Sequence, residues 1–464
     1  MSDREPSGNG GIGQGAGNTS KLNVMSKELF LSLYLPAMAI SLGEGIATPV
    51  LPVYAKSFGI SFGTATLVVI LNGIGGWIAT VPIGYMIDRY GRRPVLLAGP
   101  LLTAATAIMT AFAPTFGILL VCRFFNGAAQ AMWSLARLAM ITDTGKDRER
   151  GRMITWMSQV ATFSGLFSPA VGGFIATYWD IRVPFFFHAL MCIIAIIPSF
   201  RLAKETDPER TRAASQGRQV EKVPWREVFH DMANPQMLAF FTAQFMANFT
   251  RGVNRGGLLN LYAAYQYGAG AQTIGLMASA NSFLQLPLGF TTGYIMDKWG
   301  RKRTIVPGFS LLFLAMIFMS ATAYFHLPFT IFVAAYLCVT FSQGITGGNM
   351  QVMGSDLAPA KGRGQWIAVW RFVAETGNQL SPTVFALVGA AFGYVGAFTI
   401  VGLSSLSVAL LVGLLIRETV GRDRGWHPES AETSTATATR SGATKPSVGP
   451  AVQDGKPAKP EAAP

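Results

Sequence analysis

The chain has 464 residues and a net charge of +13, but half its residues are hydrophobic and only 13% are charged. Its mean hydropathy is +0.36, and soluble domains carry roughly 25% charged residues. The charges fall in short bursts between apolar blocks of about 20 residues, the length that crosses a bilayer core. This pattern excludes a soluble globular fold and turns the basic excess away from nucleic acid toward membrane orientation. Cys122, Cys192 and Cys338 fall in separate apolar blocks, with neither a disulfide framework nor a metal-ligand spacing.

Residues 1–26 have no apolar core and read as a disordered Gly/Ser-rich tail, not a signal peptide. The apolar blocks are expected to be helices, because backbone polar groups cannot go unsatisfied in lipid. Span 1, near 28–55, carries Glu44 in "SLGEGIATP", with Ser41 and Thr48 on the same face and Gly43 and Gly45 leaving space around the acid. An intramembrane charge costs about 2.5–3.5 kcal/mol at the bilayer centre. Glu44 is therefore a candidate proton-coupling acid, the alternative being a structural ion pair. Span 2, near 62–87, ends in "GYMIDRYGRRP", a dense charge cluster. Spans 3 and 4 follow near 95–113 and 116–141, and Arg123 in span 4 is a cation that needs a partner. Span 5, near 153–178, holds Pro169, Gly172 and Gly173, which predict a bent, closely packed helix. Span 6 lies near 183–201. Residues 202–234 form a polar connection in which "EKVPWREVFHDM" reads equally as an amphipathic surface helix or a solvated linker.

Span 7, near 236–264, places Gln244, Asn248, Arg251 and Arg255 on one polar stripe. Arg251 is the first candidate to meet an anionic or carbonyl-bearing substrate; the alternative is that it neutralises Glu44 across the molecule. Arg255 either joins it or snorkels to the interface. Span 8, near 272–296, offers Asn281 and Gln285 and ends in a second charge cluster, "GYIMDKWGRKR". Spans 9 and 10 lie near 304–325 and 328–352. Span 11, near 365–390, has a stripe of Arg371, Glu375 and Asn378, the first two spaced to pair at i, i+4. Span 12 lies near 393–416, and residues 419–464 read as a disordered tail. These polar faces are expected to line a central water-filled cavity, with Trp77, Trp133, Phe163, Phe245 and Trp370 as aromatic candidates for its wall.

One set of loops holds Arg89, Arg92, Arg93, Lys146, Arg148, Arg150, Arg152, Lys298, Arg301, Lys302, Arg303, Lys361 and Arg363, whereas the opposite loops offer little beyond Lys56 and Arg182. The positive-inside rule places both termini in the cytoplasm. The two charge clusters are 209 residues apart, and Asp143/Asp356, Ser168-Pro169/Ser381-Pro382 and Glu205-Thr206/Glu418-Thr419 each sit 213 apart. The chain is thus expected to be a parallel duplication: a six-helix bundle over 27–201 and another over 235–418, pseudo-symmetric about a central cavity.

At these residues the chain resembles the major facilitator superfamily. "GYMIDRYGRRPVLL" is similar to the family's loop 2–3 signature, and "LLVCRFFNGAAQA" to its helix-4 signature. "SGLFSPAVGG" resembles the helix-5 signature of the family's antiporters, with Ser164 and Ser168 where glycines are usual. The opening "ATPVLPVYAKSFGIS" resembles the drug:proton antiporter branch. The resemblance implies that Gly84, Asp88, Arg89, Gly91 and Arg92 form a gate, Asp88 latching onto the start of helix 11 near Gly364. By pseudosymmetry Gly293, Asp297, Gly300 and Arg301 form a second, with Asp297 facing the start of helix 5 near Arg152. It also implies a role for Arg123 in proton movement. The gate reading needs Gly84 to let helices approach closely; the bland reading makes both clusters orientation anchors.

The function expected is a monomeric, proton-coupled secondary transporter of a cytoplasmic membrane, exporting small amphipathic or anionic organic compounds by alternating access, with no cofactor and no nucleic-acid partner. A proton-coupled importer of an organic acid is the alternative, and a non-transporting sensor or scaffold a third. No nucleotide-binding Gly-Lys signature or nucleophile constellation points to an enzyme.

Overall fold

The computed structural model describes residues 34–144, 147–202, 232–255, 257–359 and 363–418, and the isolated positions 31, 224, 226 and 230. The expected tails, most of the 202–234 connection, and the side chains of Asp143, Arg152, Arg255, Asp297 and Gly364's neighbourhood lie outside the described residues.

The described residues are overwhelmingly helical. Helix α1 (Leu35–Ala47) breaks at Thr48-Pro49-Val50 and resumes as α2 (Leu51–Lys56). A short α3 (Phe62–Ala65) leads into α4 (Leu67–Tyr90), followed by α5 (Arg92–Ala111), α6 (Phe116–Thr144), α7 (Asp147–Tyr178) and α8 (Val183–Leu202). After the connection come α9 (Pro235–Arg255), α10 (Leu258–Gln266), α11 (Ala271–Trp299), α12 (Lys302–Tyr324), α13 (Phe329–Thr346), α14 (Asn349–Asp356) and α15 (Arg363–Leu410). The breaks in expected spans 7 and 10 fall at Gly257 and Gly348, whose φ values of 71° and 76° end a right-handed helix.

Nine stretches among the described residues are long and apolar enough to cross a membrane by length and composition. The last, Gln365–Leu415, covers two expected spans. Inside it Gly393 has φ 69° and ψ −178°, and the Phe385 and Phe398 rings lie 5.3 Å apart. Thirteen residues of straight helix would separate them by about 20 Å, so the chain reverses at Gly393 and the two arms are spans 11 and 12. The α9–α10 and α11 segments fall outside the nine because of their polar stripes, which is the pattern of helices facing a cavity rather than lipid.

The two halves repeat one packing scheme built on small residues. A methyl on Gly172 of α7 would lie 2.0 Å from the Ile46 carbonyl of α1, and one on Gly45 would lie 1.9 Å from the Ser168 hydroxyl. The second half answers with α9 on α15: Gly377 against the Phe245 carbonyl at 2.4 Å, Gly252 against Ser381 at 2.6 Å. In α4 and α6, Gly75 and Gly127 each abut the other helix's backbone. Between the halves, Gly173 abuts the Ala271 carbonyl, Gly275 abuts the Pro169 carbonyl, and the Ala170 amide donates to Ser279 Oγ at 3.0 Å.

The halves also meet at the end carrying the 56–62 loop. Lys56 Nζ donates to the Ala264 carbonyl at 2.7 Å, and Phe62 packs edge-on against Tyr265 and Tyr394, with centroids 5.8 and 4.9 Å away. Midway, Trp77 and Phe372 lie 6.2 Å apart. At the opposite end, a methyl on Gly84 or Gly293 would meet nothing within 4 Å. The close helix approach expected at Gly84 is absent in this conformation, because no neighbouring helix lies against that face.

Substituting Gly172 or Gly252 by Leu should lower the thermal unfolding midpoint of the detergent-purified chain, at an overpacking cost of about 1–3 kcal/mol. Gly117→Ala, where a methyl meets nothing within 4 Å, should leave the midpoint unchanged or slightly raised.

Candidate functional site

Glu44 sits between two glycines, and neither leaves open space. The room at Gly43 is taken by His188 and Met191 of α8, and that at Gly45 by Ser168 of α7. This corrects the expectation of a spacious surround: the glycines seat α1 tightly between α7 and α8, and the tight seat fixes where the carboxylate points. It points to α6, where Gln130 Nε2 donates to Glu44 Oε1 at 3.2 Å. The side chain remains solvent-accessible although it lies mid-span.

Arg123, Asn126 and Gln130 share one face of α6 at i, i+3 and i+7. Arg123 Nη1 donates to Asn126 Oδ1 at 3.3 Å, and Gln130 Nε2 donates to the same oxygen at 3.2 Å. Asn72 of α4 donates to the Arg123 carbonyl at 3.2 Å and to Asn126 at 3.3 Å, while Asn126 donates to Thr106 of α5 at 3.3 Å. Arg123, Glu44 and His188 face one another around a common cavity. Glu44, Thr48, Thr110, Arg123, Asn126, Gln130 and His188 line a small cavity of about 30 Å³, room enough for ordered water among polar partners. The His188 Nε2 facing this region is buried and has no hydrogen-bond partner. The two proton-coupling candidates, Glu44 and Arg123, thus share one polar cluster. Asn72, Asn126, Gln130 and His188 were missed by sequence reasoning. The Arg123 helical stripe carried the signal for Asn126 and Gln130; nothing in the sequence placed His188 beside them.

In the second half, Arg251 donates to the Thr346 carbonyl at the end of α13. Glu44 accepts from Gln130 rather than pairing with Arg251 across the halves. Asn254, one turn beyond Arg251, donates to Gln343 Oε1 at 2.6 Å. Asn248 donates to the Gln244 carbonyl at 2.9 Å, and Gln244 itself is buried, its amide oxygen unpartnered. The expected stripe therefore divides, Gln244 facing the helix packing and Arg251 reaching α13. Gln285 donates to Asn281 one turn earlier on the same face of α11. Arg371 and Glu375 do not pair: Glu375 accepts from Gln379 at 2.7 Å and Asn378 at 3.4 Å instead, the shorter amides on its own helix face supplying the donors. Of the aromatic candidates, Trp77 and Phe163 are exposed, whereas Trp133 and Trp370 are buried, the latter against Gly354.

The two loop clusters share their turn. Gly91 and Gly300 end α4 and α11 with φ of 92° and 101°, which explains the glycine in both copies. In the second, Arg301 Nε pairs with Asp356 at 3.1 Å, and Glu418 accepts from the Arg301 and Lys302 amides at 2.8 and 2.9 Å, capping α12. The repeated acids Asp356 and Glu418 thus converge on the repeated arginine within one half. In the first, Arg89 donates to the Tyr85 hydroxyl at 2.9 Å, and Asp88 and Arg92 are both partnered. Pro169, Gly172 and Gly173 lie together at the point where α7 meets both α1 and α11.

The sequence profile described as Major Facilitator Superfamily matches twice, over residues 33–253 and 240–448. Among curated proteins, the chain is 25% identical over 246 residues to the quinolone resistance protein NorA of Staphylococcus aureus (strain MRSA252), covering 52% of this chain and 60% of the relative. It is 23% identical over 282 residues to multidrug resistance protein 2 of Bacillus subtilis (strain 168), covering 60% and 69%. The chain thus spans about 60% of the length of that NorA protein. Among solved structures it resembles a D-xylose-proton symporter with a TM-score of 0.67 at 17% identity, covering 85% of this chain and 99% of that one. A peptide transporter solved with sulfate gives 0.65 at 15%, covering 84% and 94%. At such identities these show the fold alone. The doubled loop motif, the repeated helix packing and the twice-matching profile agree: the chain belongs to the Major Facilitator Superfamily, a family of multi-pass membrane transporters of small molecules, not of enzymes.

Proposed function

We propose that this transporter is a proton-coupled antiporter that exports small amphipathic or anionic organic compounds from the cytoplasm by alternating access, as a monomer with both termini inside. The observation that carries the reading is the Glu44 carboxylate, mid-span and solvent-accessible, hydrogen-bonded to Gln130 at 3.2 Å and next to Arg123. A charge kept at that depth is expected to be functional. Similarity to a quinolone resistance protein and a multidrug resistance protein supports export.

In this reading, residues 27–201 and 235–418 rock as two bodies around the cavity. The contacts of Lys56 and Phe62 with α10 and the α15 turn close the outer end. Asp88, Arg92 and their second-half counterparts Asp297 and Arg301 close the inner end in the opposite state, Gly84 and Gly293 then receiving a neighbouring helix. Proton binding at Glu44 removes a negative charge beside Arg123, so that proton and substrate favour different states of one cavity. Arg251, Gln285 and Arg371 supply polar contacts for the substrate.

An importer of an organic acid is the second reading, and the Arg251-bearing stripe of α9 favours it. Direction separates the two. In inside-out vesicles with an imposed pH gradient, screened with quinolones, lipophilic cations and aromatic acids, the antiporter accumulates its substrate only when the lumen is acidic. Glu44→Gln should abolish that pH-driven uptake and leave substrate binding detectable. Undiminished pH-driven transport in the variant rules Glu44 out as the coupling acid.

A further inference from the structure

Three basic positions recur in both loop clusters at an offset of 209 residues, and the structure gives them different tasks. Arg92 and Arg301 are partnered within the protein, Arg301 on Asp356 at 3.1 Å. Arg93 and Lys302 each cap the end of the last span of their own half. Arg93 donates to the Phe200 carbonyl and Lys302 to the Gly413 carbonyl, acceptors that are themselves 213 residues apart. Arg89 and Lys298 do neither. Arg89 donates to the Tyr85 hydroxyl at 2.9 Å and lies over that ring, 5.9 Å from its centroid. Lys298 repeats this on Tyr294, at 3.4 Å from the hydroxyl and 5.6 Å from the centroid. Cation and phenol thus recur together, Tyr85 and Tyr294 also being 209 apart.

Both pairs are turned outward. Tyr85 and Tyr294 are 61% and 64% exposed, and Arg89 and Lys298 are exposed too. Each tyrosine continues an exposed apolar stripe on one helix face, Ile78 and Val81 in α4, Phe283 and Phe290 in α11. Beside the stripes, Gly84 and Gly293 have open space, where a methyl would meet nothing within 4 Å. An exposed apolar face on a spanning helix suits acyl chains, and a tyrosine with a cation at its end marks the headgroup level. The phenol oxygen that accepts from the cation keeps its own O–H to donate. Each pair therefore offers a neutral donor and a full positive charge at one point, which matches a phosphodiester.

We propose that Tyr85–Arg89 and Tyr294–Lys298 are twin sites for the phosphodiester of an anionic phospholipid, one in each half, with the acyl chains along the two apolar stripes. The occupant is a lipid rather than soluble phosphate, because the surface running from each pair is apolar. The bare cation also selects among lipids: a headgroup carrying its own ammonium meets like charge, whereas an uncharged glycerol headgroup does not. The sites depend on neither the direction of transport nor proton coupling.

The test is native mass spectrometry of the purified full chain in detergent at pH 7. It is titrated with phosphatidylglycerol, with phosphatidylcholine of the same acyl chains, or with sodium phosphate. Two phosphatidylglycerol molecules should bind, each about fivefold tighter than phosphatidylcholine. Arg89→Gln and Lys298→Gln should each remove one of the two, and the double variant both. Tyr85→Phe, which keeps the ring, should weaken one site. Arg303→Gln removes an exposed cation of the same loop that has no counterpart in the first half, where Pro94 stands; it should leave both sites intact. Equal binding of the two lipids by the wild-type chain overturns the proposal, and that ranking needs no variant to fold. So does a loss in R303Q as large as in K298Q, which would reveal general surface charge. Displacement of phosphatidylglycerol by millimolar phosphate would make each pair a free-anion site and overturn the lipid assignment.

Discussion

Every backbone N–H and C=O inside a bilayer has to find its partner within the protein, and the architecture follows from that requirement. It forces the apolar blocks into helices, and helices in lipid gain little from burying apolar side chains against each other. What remains is close van der Waals packing, which depends on how near two backbones can come. Here the nearness is supplied by pairs such as Gly172 on Ile46 and Gly377 on Phe245, where a methyl would fall within 2.4 Å of a carbonyl oxygen. Where helices are interrupted at Gly257, Gly348 and Gly393, the turn is made by a glycine with positive φ.

Tight packing of this kind decides where the charges go. α1 is wedged between Ser168 and His188 through its own two glycines, so Glu44 has one direction left, toward Gln130 and Arg123. The cost of an intramembrane charge, about 2.5–3.5 kcal/mol, is offset by side-chain amides and by an opposite charge nearby. In the second half the same geometry holds an arginine against a backbone carbonyl. The frame recurs at repeated positions, Arg123 and Gln130 in the first half answering to Tyr336 and Gln343 in the second, so the halves share spacing but not charge.

The loop clusters show a different economy. Gly91 and Gly300 turn the chain with a positive φ, and Arg301 gathers Asp356 while Glu418 caps the following helix. A charge cluster of the kind expected to orient a loop thus also ties three helix ends of one half together. Such a tie stiffens the second half, as the proposed rocking of two bodies requires.

Much of this was legible in the sequence because hydropathy, turn glycines and charge placement are local. The expectation of twelve spans and the duplication offset come from blocks and spacings, the family signatures from resemblance, and the span 11–12 reversal at Gly393 fell where a glycine interrupts an apolar run. Glu44, Arg123 and Arg251 stood out because a charge in an apolar block is conspicuous. What the sequence left open was partnership. The i, i+4 spacing of Arg371 and Glu375 suggested a pair, but two amides on the same helix took the carboxylate. Gly43 and Gly45 suggested room, but neighbouring helices filled it. His188, Asn126 and Gln130 became parts of one cluster only when α6 and α8 were brought against α1. Sequence by itself determined which segments cross the membrane, how the chain is duplicated and which charges are too costly to be idle. Only the tertiary structure decided which of those charges meet, because contacts between helices depend on rotation and depth, which spacing along one helix does not encode.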